Sequence, residues 1–337
     1  MKKLIAIALC LSLVSCPDFV QAATDKVYLE ITDDIQGYVF TRVDKDIYSI
    51  DLVYDDMEET YGYVLRKNGD IAYTFNEYWG PRGICQIDGV VYIALVDSVV
   101  KYVNGKMVTV LKESEGPIKD MASNGRDIYI ECDDDSPKYQ SYIEGSFYKV
   151  TTKGEATRIK GLEVAIGWHY SDFTVNKSGD RLARVPYLDD GTKVRRMDGT
   201  EYFQRVMEED QPHATGGEFT VANLLYYNDC LIANVNGSLV YYDAKNKPHV
   251  ILGDMKGDRS YLETWQCQPG DSLPVKSGYG DKVRIGYVDT WFVAEDGYIY
   301  GRTMVNYDTY ESFKLTLPDF IKKTVTYKKV TASLPAK

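Results

Sequence analysis

The chain has 337 residues, 50 acidic against 39 basic, and a formal charge of −11. That balance argues against nucleic acid or an anionic lipid surface as partner. Its 29 Tyr and 27 Gly suit strands and tight turns better than helices.

The chain begins with Lys2 and Lys3, an apolar run from Leu4 to Val14, and a polar stretch ending in Val20-Gln21-Ala22, the three parts of a secretory signal. The apolar run is roughly half the ~20 residues a spanning helix needs. Residues 1–22 therefore read as a signal peptide and the rest as an exported chain, secreted or periplasmic, with no transmembrane segment. Leu13-Val14-Ser15-Cys16 also fits a bacterial lipobox, so a lipoprotein anchored to the cell envelope through Cys16 is the alternative. Losing Lys2, Lys3 and Asp18 with the signal takes the charge to −12.

Repeats organise what remains. A strand-like run enters a Gly/Asn/Asp turn and a Tyr- and Ile-rich run follows, at Asp44-Lys45-Asp46, Asp88-Gly89, Asn124-Gly125-Arg126-Asp127, Ser178-Gly179-Asp180, Asn228-Asp229 and Asp296-Gly297. A second hairpin signal follows each, at Asn68-Gly69, Asn104-Gly105, Lys153-Gly154, Asp198-Gly199, Lys245-Asn246 and, more loosely, Pro318-Asp319. Such pairs supply the positive φ of two-residue hairpin turns. Four strands in each of six units predict an all-β, six-bladed β-propeller of four-stranded antiparallel blades, filling 23–337 as a single domain. A pair of sandwiches or a β-helix would lack this paired-turn rhythm. Gly253 to Lys282 shows little strand pattern and reads as a loop insertion at about 253–283, with a degenerate seventh blade as the other reading. Val27 to Ile31 and Thr324 to Val330 are both strand-like, and one of them should complete the last blade.

The run Asp172-Phe173-Thr174-Val175-Asn176-Lys177-Ser178-Gly179-Asp180-Arg181-Leu182-Ala183 resembles the TolB-type (WD40-like) propeller repeat, and GSFYKVTTKGEATRI from Gly145 is similar to its closing half. In the second to fifth units only the turn residues persist elsewhere, and the Ser-Pro pair that precedes the Asp-Gly turn of that repeat is absent at that place throughout. The resemblance implies the propeller fold and a binding role, and it transfers no catalytic residue.

Catalytic signatures are missing. No Gly-x-Ser-x-Gly, His-x-x-x-His or Gly-x-Gly-x-x-Gly occurs, and His169, His213 and His249 fall in separate segments without ligand spacing. Asp133-Asp134-Asp135 supplies hard oxygen ligands for calcium but lacks the alternating spacing of a calcium loop, so a solvated acidic loop is preferred and no cofactor is expected. Trp79 and Trp168 lie in blade-to-blade links, where they can stack on a sugar or wedge between blades. Of the exported cysteines, Cys85, Cys132, Cys230 and Cys267, the pair Cys230 and Cys267 is the disulfide candidate, and four buried free thiols the alternative.

In a propeller the loops joining second to third strands share one rim with the links between blades, and the other hairpins share the opposite rim. Counted so, the first rim carries roughly −16 and the second about 0. Asp55, Asp56, Glu58, Glu59, Asp133, Asp134, Asp135, Glu208, Glu209 and Asp210 make the first acidic, and Lys67, Lys106, Lys153, Lys245 and Lys247 mark the second. The favoured function is a non-catalytic binding or scaffold protein whose acidic, aromatic rim takes a protein or glycan at the cell surface. The alternative is a propeller hydrolase or lyase acting on sugars or lactones with channel carboxylates, calcium-dependent or not. Intact-mass analysis of the chain made in a bacterial host is expected to show residues 1–22 removed. A mature chain starting at an acylated Cys16 would instead make the protein membrane-anchored.

Overall fold

A computed structural model describes residues 27–32, 35–55, 60–76, 80–134, 143–166, 172–179, 182–185, 194–195, 201–203, 221–228, 230–235, 238–242, 248–252, 272–275, 291–306, 309–318 and 321. They form 25 strands. β1 (Val27–Thr32) is the first of the described strands and pairs with one near residue 312. Three four-stranded antiparallel sheets in chain order follow. The first joins β2 (Val39–Val43), β3 (Asp46–Asp55), β4 (Thr60–Lys67) and β5 (Asp70–Phe75). The second joins β6 (Gly83–Ile87), β7 (Val90–Ala94), β8 (Val99–Val103) and β9 (Lys106–Leu111). The third joins β10 (Ile118–Ser123), β11 (Ile128–Asp134), β12 (Ile143–Val150) and β13 (Ala156–Ile166).

Two short ladders come next, β14 (Asp172–Val175) with β15 (Leu182–Val185), and β16 (Val194–Arg195) with β17 (Glu201–Phe203). A fourth four-stranded sheet holds β18 (Val221–Tyr227), β19 (Cys230–Val235), β20 (Ser238–Tyr242) and β21 (Pro248–Leu252). After β22 (Ser272–Val275) come β23 (Trp291–Glu295), β24 (Tyr298–Asn306) and β25 (Thr309–Thr316), and the last sheet runs β22-β1-β25-β24-β23.

The turns work as their chemistry requires. Asp44, Asn68, Asp88, Asn104, Asn228 and Asp296 all hold φ between 47° and 54°, the left-handed conformation that brings one strand back along the next. The first strands of successive units then pack in a ring, β2 on β6, β6 on β10, β10 on β14, β14 on β18, β18 on β23 and β23 back on β2. Apolar clusters fill the spaces between neighbouring sheets. Ile50, Leu65, Ile84 and Ile93 are buried together between the β2–β5 and β6–β9 sheets. Ile118, Ile130 and Val150 pack with Ile87 and Val99 between the β6–β9 and β10–β13 sheets. Each such wholly buried side chain contributes about 1.5–3 kcal/mol relative to leaving it in water.

This is an all-β propeller arrangement, and it corrects the expected count. Five sheets of four or five strands form blades among the described residues, not six. The unit containing Ser178-Gly179 is the exception: its turn forms, but no ladder joins β15 to β16. Residues 186–193 and 196–200, between and beyond these strands, lie outside the described residues.

β1 completes the last blade, in register from Leu29 opposite Leu315 to Thr32 opposite Ser312. The hairpin signal at Pro318-Asp319, beyond Pro318 itself, and Thr324 to Val330 lie outside the described residues. Within the segment read as an insertion, Ser272–Val275 adds a fifth strand against β1. The closure is fastened at three further points. The Trp291 indole Nε1 donates to the Phe40 carbonyl at 2.8 Å, the Ile35 amide donates to Ser312 Oγ at 2.7 Å, and the Arg42 guanidinium lies 3.6 Å over the Tyr300 ring. Arg42 Nε also stands 3.6 Å from Glu295, whose carboxyl burial raises above the usual range although Arg42 pulls it down.

In the last blade Gly301 faces Phe313 across the ladder, and a Cβ at Gly301 would stand 2.1 Å from the wholly buried ring. Gly62 in β4 has nothing within 4 Å of the same position. Gly301→Ala is therefore expected to lower unfolding stability by about 1–3 kcal/mol through overpacking, with Gly62→Ala changing it little. Denaturant midpoints check this, and equal effects of the two would contradict the packing described.

Candidate functional site

The antiparallel order brings the end of β3 at Asp55 and the end of β11 at Asp134 to the same end of their blades as the links 76–82 and 112–117. The backbone at these two residues thus lies on the rim that the charge count marked as acidic. Asp133 is the candidate whose side chain is described, and it is buried in β11 rather than solvated. One carboxylate oxygen pairs with Lys119 Nζ, and the other is buried with no hydrogen-bond partner among the described residues. Its amide donates to the Pro117 carbonyl at 2.9 Å, so Asp133 fastens the link onto the blade below it. Strand β11 also runs through Asp134, which shortens the acidic loop. Asp56, Glu58, Glu59, Trp79, Asp135, Trp168, Glu208, Glu209 and Asp210 lie outside the described residues.

Within the ring is a cavity of about 250 Å³, and all six first strands line it. Thr41 comes from β2, Gln86 from β6, Ser123 from β10, Thr174 from β14, Asn223 from β18 and Trp291 from β23. Every described lining residue is apolar or neutral: none among them is Asp, Glu, His, Lys or Arg. Thr174 Oγ1 accepts from the Tyr226 amide at 3.1 Å, a bond between β14 and β18 at the cavity wall. Next to it the Phe173 amide donates to Asp120 Oδ2 at 3.3 Å, joining β14 to β10.

Cys85 also lines the cavity, and burial pushes its thiol up to about 12 despite a hydrogen bond with Ser123. A thiol held so far above neutrality is not a nucleophile at physiological pH. Cys132, on β11, is raised to about 12 by the same cause, with the carboxylates Glu131 and Asp133 adding to it. Both are buried free thiols. Cys230 is buried at the start of β19, while Cys267, the other half of the disulfide candidate, lies outside the described residues. His249 stacks on Tyr241 with centroids 4.8 Å apart, and His169 and His213 lie outside the description. Among the described residues no group of three or more His, Cys, Asp or Glu could hold a metal ion.

Reading the sequence missed the cavity lining. One signal stood in it: Asn223 interrupts the apolar run Val221-Ala222-Asn223-Leu224-Leu225, where a strand interior offers no reason for an amide. Asn223 is the extra residue of a bulge between Ala222 and Leu224, with φ of 53°.

No family model matches the chain, and no curated protein matches it either. Solved structures do match. A Bacteroides thetaiotaomicron protein of unknown function is similar over 85% of this chain and 70% of its own, with 11% identity and a TM-score of 0.50. The extracellular domain of a hybrid two-component system from the same organism covers 86% of this chain but 40% of its own, at 11% identity and a TM-score of 0.44. A puromycin hydrolase variant covers 82% of this chain and 51% of its own, at 10% identity and a TM-score of 0.47. At such identities the first of these likenesses shows the fold alone, and the other two carry no argument. No helix among the described residues is long and apolar enough to cross a membrane.

Proposed function

We propose that the protein is an extracytoplasmic, non-catalytic binding protein, a propeller domain over 23–337 that engages a cell-surface protein or glycan at its acidic rim and the channel it surrounds. Export rests on the signal-like first 22 residues.

The single observation that carries the binding reading is the neutral cavity. Glycoside cleavage by acid and base needs two carboxyl groups facing each other across the bond. The described lining contains none, and its one thiol is protonated. Hydroxyls, amides and aromatic rings in a concave pocket suit recognition instead. The acidic rim would add long-range attraction, because Asp55 ends β3 and Asp56, Glu58 and Glu59 come within four residues of it in the sequence.

An array of basic peptides, acidic peptides and surface glycans probed with mature protein tests this. Saturable binding is expected, with glycans recovered intact. Binding of the basic members should fall as salt screens the rim, and it should drop at least tenfold when Asp55, Asp56, Glu58 and Glu59 are changed to Asn and Gln. Release of new reducing ends or opened lactones would overturn the non-catalytic reading. No salt-sensitive binding would remove the rim from it.

A further inference from the structure

We propose that the central cavity is a site for a single neutral sugar ring, with Asn223 as the polar group that sets its specificity; this rests on the reading of the channel as a binding site. Seven residues other than glycine have positive φ among the described residues. Six of them, Asp44, Asn68, Asp88, Asn104, Asn228 and Asp296, occupy the turns that join strands, where hairpin geometry demands that conformation. Asn223 is the seventh, and it sits inside β18 on the cavity wall.

A position that needs positive φ is best served by glycine, so an asparagine there keeps a carboxamide at a conformational cost. Bulges commonly re-aim a side chain beside a functional site. The Asn223 side chain makes no hydrogen bond to a described residue, and it is only half-buried. It is therefore available to a ligand in the cavity as both donor and acceptor.

Ligand class follows from the rest of the lining. Each first strand of the ring is hydrogen-bonded on one side only, which leaves backbone N–H and C=O groups on its inner edge. Such groups, with Asn223 and Thr41, alternate donors and acceptors, and a sugar hydroxyl serves either; the Gln86 side-chain oxygen is already taken by the Gly89 amide at 3.2 Å. Charged ligands would be buried here without a counter-charge, a cost the lining does nothing to offset. Phe173, Tyr226, Trp291 and Phe292 supply aromatic surface, and Trp291 is fixed in place by its bond to the Phe40 carbonyl. At about 250 Å³ the cavity falls below the ~300–1,000 Å³ of sites that enclose drug-sized ligands, which matches one ring rather than an extended chain.

Calorimetry and ligand-observed NMR on the mature protein test the proposal with methyl glucoside, methyl galactoside and methyl mannoside as probes, and with glucuronic acid and glucosamine as charged rings of similar size. At least one neutral pyranoside is expected to bind, and each charged ring at least tenfold more weakly. Asn223→Gly, which accepts the same φ, should weaken the neutral sugar at least tenfold while leaving the thermal midpoint unchanged. The inference is overturned if no neutral pyranoside binds, if the charged rings bind equally well, or if Asn223→Gly leaves affinity unaltered. Salt-sensitive binding at the rim in a protein that ignores all three pyranosides would sink this inference alone and leave the broader binding reading standing.

Discussion

The closure between the ends of the chain is the constraint on which everything else depends. Packing β2 on β23 turns a row of sheets into a ring, and β1 alongside β25 joins residues near opposite ends of the chain in one ladder. Without it the last blade would expose the edge of β25, and the first and last blades would each present an uncovered apolar face. The Trp291–Phe40 hydrogen bond and the Arg42 stack on Tyr300 lie at this junction. Side-chain bonds between first strands occur elsewhere in the ring, at Asp120 to the Phe173 amide and at Thr174 to the Tyr226 amide.

The channel inherits its chemistry from that ring. Its wall is made of first strands, whose outer edges are paired within blades and whose inner edges are not. The described ion pairs stand away from this lining, as with Lys119 and Asp133, Arg66 and Asp51, or Lys67 and Asp46. The described lining of the cavity is polar without being charged. Such a site distinguishes ligands by hydrogen-bond pattern and shape, whereas an acidic rim acts over longer range and less selectively.

Much of the fold was legible because turns of this kind have a strict local requirement. Asp88-Gly89 and Asn104-Gly105 demand a left-handed backbone, and that demand can be read without knowing anything distant. The unit after Ile166 was less legible, since a turn at Ser178-Gly179 specifies one hairpin and says nothing of whether later residues can build outer strands. Closure was ambiguous for another reason: Val27 to Ile31 and Thr324 to Val330 look alike, and pairing across almost the whole chain leaves no trace in local spacing. Asp133 misled because three successive aspartates suggest a solvated loop, while the strand beneath continues through Asp134 and buries the first of them. The cavity was hidden altogether, since Thr41, Gln86, Asn223 and Trp291 come together only when the ring closes.

β1 is the strand that closes the ring, and equilibrium unfolding of two chains measures this most directly, one beginning at residue 23 and one at residue 33. Removing β1 strips the hydrogen-bonded neighbour from β25 and from β22 together. The shortened chain is expected to lose its cooperative transition, or to unfold at a much lower denaturant concentration, as the whole ring opens. An unchanged midpoint and slope in the chain beginning at residue 33 would contradict it.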